Sequence, residues 1–176
     1  MNKEIKLTPH FTLGELTKTK HVTEDGNIPS RVVIENLIRV CGWLEELRVL
    51  AGVRPQSKVA GDCTLAPDPG AALDPGAAPS ARKEVPIVIN SGYRSPEVNR
   101  LAGGATNSNH LTGCAVDIRC AGKEQMIRYA SILLDIADGS KQEYDELLLE
   151  QHGSVCWLHF AVRPKENRRI IRFLRV

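Results

Sequence analysis

Residues 91–120 read SGYRSPEVNRLAGGATNSNHLTGCAVDIRC. Ser95-Pro96 supplies an N-cap followed by proline at the first helical position, so a helix begins there. Gly103 and Gly104 end it. The alternation in CAVDIR then predicts a strand over 114–119, with Cys114, Val116, Ile118 and Cys120 on one face. Between helix and strand lies the pattern S-x-H-x-x-G-x-A-x-D, formed by Ser108, His110, Gly113, Ala115 and Asp117. Gly113 suits the tight turn needed before the strand. Ala115 shares a face with Asp117 and leaves room beside it.

Towards the N-terminus, Thr12 and Glu15 have capping-box spacing and predict a short helix over 13–18. Val33, Leu37, Val40, Leu44 and Leu47 recur at three- and four-residue steps after Pro29-Ser30, marking a core-packing helix that stops at Gly52. From about 55 to 84 the composition turns to Pro, Ala, Gly and Asp, and DPGAA occurs twice. Such a stretch buries too little apolar surface to offset its ordering entropy, and it reads as a flexible insertion. A short β-branched strand is expected over 85–90. Further along, a helix is predicted over 123–137 and strands near 147–151, 156–162 and 170–176. Helices early and strands late, without βαβ alternation, predict α+β, with a mainly antiparallel sheet flanked by helices. At 176 residues the chain suits one domain, 1–176, interrupted by the insertion.

The balance of 23 basic and 21 acidic residues gives a formal charge of +2 and no electrostatic reason to expect nucleic acid or membrane partners. The N-terminal residues hold no signal-peptide core, and no stretch is long enough to span a bilayer. A product soluble and cytoplasmic as synthesised is expected, with release or export by another system if it acts outside. The five cysteines have no C-x-x-C spacing and read as buried, reduced thiols rather than ligands.

A second histidine, His159, lies in the strand CWLHFAV. Two imidazoles and one carboxylate, His110, His159 and Asp117, suit a catalytic zinc with a fourth position left for water.

The chain resembles the metallopeptidase family of zinc D-Ala-D-Ala carboxypeptidases and related phage endolysin peptidases (peptidase family M15, subfamily A). The resemblance runs from HFTLGEL, through SGYRSPEVNRLAGGATNSNHLTGCAVDI, to EQHGSVCWLHFAV. It implies a Hedgehog/DD-peptidase fold, one zinc per chain on His110, Asp117 and His159, and a substrate-binding Arg94. It also implies hydrolysis of peptide bonds in peptidoglycan stem peptides, as a D,D-carboxypeptidase or an endopeptidase, by a monomer acting on the cell wall. Arginine's planar fork suits a substrate carboxylate, although a salt bridge bracing the loop is the other reading of Arg94.

Several relatives carry a glutamate three residues before the last histidine ligand, where this chain has Cys156. A hairpin loop over 152–155 sets Glu150 opposite Trp157 and on the His159 side, making Glu150 the expected general base. Related sequences lacking the closer glutamate carry one at this position. Ser108, Tyr93 and Trp157 are expected to shape the substrate pocket, with structural roles open for all three. The alternative reading is a catalytically inactive, metal-stabilised module that binds the cell wall or serves a phage particle.

Overall fold

The computed structural model describes residues 5–52 and 85–175; the expected insertion at 55–84 and Cys63 lie outside the described residues. Helix α1 spans Leu13–Leu16, with the Thr12/Glu15 capping box formed in both directions. It is shorter than expected because Thr17 already leaves helical geometry. Helix α2, Arg31–Gly52, buries Leu37, Val40, Trp43, Leu44 and Leu47 along one stripe. After β1 (Ile89–Ser91) come α3 (Pro96–Leu101), a 3₁₀ turn (Asn109–Thr112), β2 (Ala115–Cys120) and α4 (Lys123–Ser140). The chain closes with β3 (Glu146–His152), β4 (Val155–Ala161) and β5 (Ile170–Arg175).

The five strands form one sheet in the order β1-β2-β4-β3-β5. Every neighbouring pair is antiparallel except β3 and β5, which run parallel. The fold is therefore α+β on a mixed, mainly antiparallel sheet flanked by helices. β1 is shorter and later than expected over 85–90. Pro86 has no N–H to give a ladder, and the Val85 N–H donates to the Arg48 carbonyl of α2 instead. No helix among the described residues is long and apolar enough to cross a membrane.

Alternation sorts the sheet into two faces. Val116, Ile118, Leu147, Leu149, Leu158 and Phe160 are buried in the core with residues of α2 and α4. Trp43 of α2 meets Phe160 with ring centroids 5.3 Å apart. The opposite face carries Asp117, His159, Glu150 and Trp157, and these line a cleft. Cys41, Cys114, Cys120 and Cys156 are free and buried. Burial pushes the thiols of Cys41 and Cys120 up to about 12 and about 11, so both stay protonated and inert at neutral pH.

The β3–β4 hairpin has the anticipated register, with Gln151 opposite Cys156 and Glu150 opposite Trp157. The ladder continues one pair further, His152 opposite Val155. Only Gly153 and Ser154 remain in the turn, and Gly153 takes the positive φ of 56° that a two-residue hairpin needs.

Candidate metal centre and cleft

His110 is held from four directions before any metal is considered. It lies in the 3₁₀ turn capped by Ser108, whose hydroxyl accepts from the His110 backbone N–H. Its backbone carbonyl accepts from the Arg94 and Gly113 N–H groups. Its ring Nδ1 is 2.6 Å from the Gly92 carbonyl, so Nδ1 carries the proton and the Nε2 lone pair faces the cleft. Gly92 is required for this approach: a Cβ there would stand 2.4 Å from the Leu16 carbonyl oxygen, which accepts from the Tyr93 N–H at 2.7 Å.

Asp117 and His159 are direct partners across the β2–β4 ladder. Their side chains rise from the same face. Asp117 Oδ1 is 3.0 Å from His159 Nδ1 and 3.3 Å from His110 Nε2, and the two nitrogens are 3.2 Å apart. The three atoms thus form a nearly equilateral triangle in which all three residues are buried. Tetrahedral zinc with ligands at about 2.0–2.1 Å requires ligand–ligand edges of about 3.3 Å. The donor set fits such an ion in size, charge and geometry.

The electrostatics agree. Burial opposes ionisation of Asp117, but the two imidazoles outweigh it and hold the carboxyl far below the usual range. Burial holds His110 below its ordinary value. Burial also opposes charge on His159, yet the carboxylates of Asp117 and Glu146 raise it to about 9.

Arg94 is at the edge of this triangle. Its Nη2 donates to Asp117 Oδ2 at 2.6 Å, and its Nε donates to the Ser91 hydroxyl at 2.8 Å. The expected two-pronged grip on a substrate carboxylate is therefore partly engaged inside the protein. The ion pair with Asp117 is formed, and Nη1 is the nitrogen without a hydrogen bond among the described residues.

Glu150 and Trp157 both line the cleft, which has a volume of about 640 Å³. Burial lifts the Glu150 carboxyl above its ordinary value, against the pull of nearby His159. Cys156 is on the helix-packed face of the sheet, so a carboxylate at that position would point away from the metal ligands. Ser108 lines the cleft as well as capping the turn. Tyr93 does not: it is buried in the hydrophobic core, where burial raises its phenol, and is absent from the cleft lining.

Sequence reading missed the carboxylates at the start of β3. Glu146 Oε2 is 3.5 Å from His159 Nε2, an electrostatic contact too long for a good hydrogen bond. That nitrogen is buried with no hydrogen-bond partner among the described residues. Asn109 and Arg168 hold Glu146 in place at 2.9 and 2.7 Å. Asp145, fully buried, takes a two-pronged grip from Arg168. The period-two rule that put Glu150 on the His159 side puts Glu146 there too, four residues earlier.

Residues 77–143 match the family model described as Peptidase M15. The matched segment contains Arg94, His110 and Asp117 and ends before β3, so Glu146, Glu150 and His159 lie beyond it. No curated protein matches the chain.

Proposed function

We propose that this protein, whose residues 77–143 match the Peptidase M15 family model, is a zinc-dependent peptidase of that family that hydrolyses peptide bonds of bacterial cell-wall stem peptides. The observation that carries the reading is the buried His110–Asp117–His159 triangle with Glu150 lining the same cleft. His110, Asp117 and His159 would hold the ion. Zinc, when bound, polarises the substrate carbonyl and acidifies water.

The chain's own groups supply the rest. Glu150 accepts the proton of the attacking water at its carboxylate and returns one to the leaving amine. Its upward shift, caused by burial, is in the direction that strengthens a carboxylate as a proton acceptor. Arg94 Nη1 donates to a substrate carbonyl or carboxylate, while its other nitrogens keep the guanidinium fixed against Asp117 and Ser91. Holding the donor rigid in this way lowers the entropy lost on binding. Trp157, half-buried on the cleft wall, offers an apolar surface to the peptide.

The test is peptide release from purified peptidoglycan, followed by mass spectrometry, with wild type and Glu150→Gln both checked for bound zinc. Glu150→Gln keeps size and removes the base, so turnover falls by about a hundredfold or more at unchanged zinc content. Equal turnover would remove Glu150 from the mechanism. Zinc-loaded wild type that releases nothing from any peptidoglycan type would favour a metal-stabilised binding module.

A further inference from the structure

A second concavity of about 540 Å³ adjoins the metal cleft and shares Arg94 and Ala102 with it. It is lined by Lys18, Lys20 and His21 from the loop after α1, by the β1 edge, and by Arg119 of β2. Among the described residues no carboxylate lines it. The metal cleft, by contrast, sets Asp117, Glu146 and Glu150 against Arg94, Arg163 and Arg168. With 23 basic and 21 acidic residues in the chain, composition alone does not produce so one-sided a lining.

Nor are these charges spent on the fold. Lys18, Lys20 and Arg119 are exposed and have no ion-pair partner among the described residues. Arg119 follows Asp117 by two positions on the same strand face and stands opposite Trp157. The positive lining therefore begins beside the metal ligands and runs outward past Arg94. Like charges gathered in one concavity repel one another, and an occupant of opposite sign relieves that repulsion.

We propose that this groove is an extended subsite for the carboxylate-bearing part of the peptide substrate, away from the bond that is cut. The inference rests on the peptidase reading for the identity of its ligand as a peptide. The groove discriminates acidic peptides from their amidated counterparts by charge.

Four fluorescent peptides built around D-Ala-D-Ala test this, with three Glu or three Gln placed either before or after the pair. Binding is followed by fluorescence anisotropy with zinc-loaded Glu150→Gln, and turnover with zinc-loaded wild type. At one of the two placements the Glu peptide binds about tenfold tighter than its Gln partner, the scale expected of a few screened charge pairs. The preference shrinks in 0.5 M salt. In the background of the triple variant Lys18→Gln/Lys20→Gln/Arg119→Gln the ratio falls to about one; the Lys18→Gln/Lys20→Gln pair serves if the triple variant does not fold. Equal binding of Glu and Gln peptides at both placements, or a ratio that survives the substitutions, overturns the groove. A charge preference without turnover leaves the groove standing and removes the peptidase reading. Turnover without charge preference does the reverse.

Discussion

Two glycines with the same backbone angle separate conformational cost from packing cost. Gly103 and Gly113 both sit at φ +70°, in the left-handed region. A Cβ on Gly103 meets nothing within 4 Å among the described residues. On Gly113 it would stand 2.7 Å from the Val33 carbonyl oxygen, 2.8 Å from Val33 Cγ1 and 3.2 Å from Leu37 Cγ. Gly103→Ala therefore carries only the left-handed penalty, about 1–2 kcal/mol. Gly113→Ala adds overpacking of about 1–3 kcal/mol, because the nearest atom belongs to helix backbone that has little room to retreat. For a domain of this size the losses correspond to about 5 °C and about 10 °C in melting temperature. Urea and thermal unfolding of the two variants measure the difference. Gly113 also ends the turn that carries His110, with its N–H on the His110 carbonyl. Zinc affinity should thus fall in Gly113→Ala and hold in Gly103→Ala. Equal stability losses, with zinc affinity intact in both, would refute the idea that contact with α2 seats the His110 turn.

Glu146→Gln should weaken zinc binding about tenfold or more in chelator competition, because the charged group facing His159 Nε2 is lost while His159 Nδ1 remains available to the ion; unchanged affinity would make Glu146 a mere partner of Arg168. Zinc-free protein should be most stable near pH 6.5, the ordinary histidine value. His110, depressed by burial, contributes stability above that value that is lost as pH falls, whereas His159, raised to about 9, contributes stability below it that is lost as pH climbs through about 9. Urea midpoints of chelator-treated protein between pH 5 and 9.5 check this, and a flat profile would contradict it.

Short-range rules made much of this molecule legible. The Thr12/Glu15 box, the α2 stripe and the hairpin register all depend on spacing within a few residues, and the structure has each of them. The same arithmetic brought Glu150 to the cleft face. Tyr93 shows where spacing stops being informative. It lies between Gly92 and Arg94, both of which serve the site, yet its ring turns into the core, because the Tyr93 N–H is drawn to the Leu16 carbonyl. Gly113 announces the tight turn before β2, but the turn's 3₁₀ form around His110 is not legible from spacing, because contacts with Gly92, Arg94 and α2, all distant in sequence, hold it. The parallel pairing of β5 with β3 was equally hidden. Hydrophobic alternation marks a strand but carries no information on which neighbour it joins or in which direction. The return loop that leads into β5 is tied to the start of β3 where Arg163 and Arg168 converge on buried Asp145.

The rung that joins Asp117 to His159 also sets a timetable. The two residues are 42 positions apart, and the strand carrying His159 occupies the middle of the sheet. At about 5–20 residues per second, a ribosome releases Asp117 several seconds before His159. During that interval the nascent chain owns Arg94, His110 and Asp117 but lacks the third ligand, and Arg94 is the counter-charge already at hand. A full ligand set exists only once β4 has slotted between β2 and β3. On the zinc reading, an ion would find its three ligands together only in a nearly finished domain.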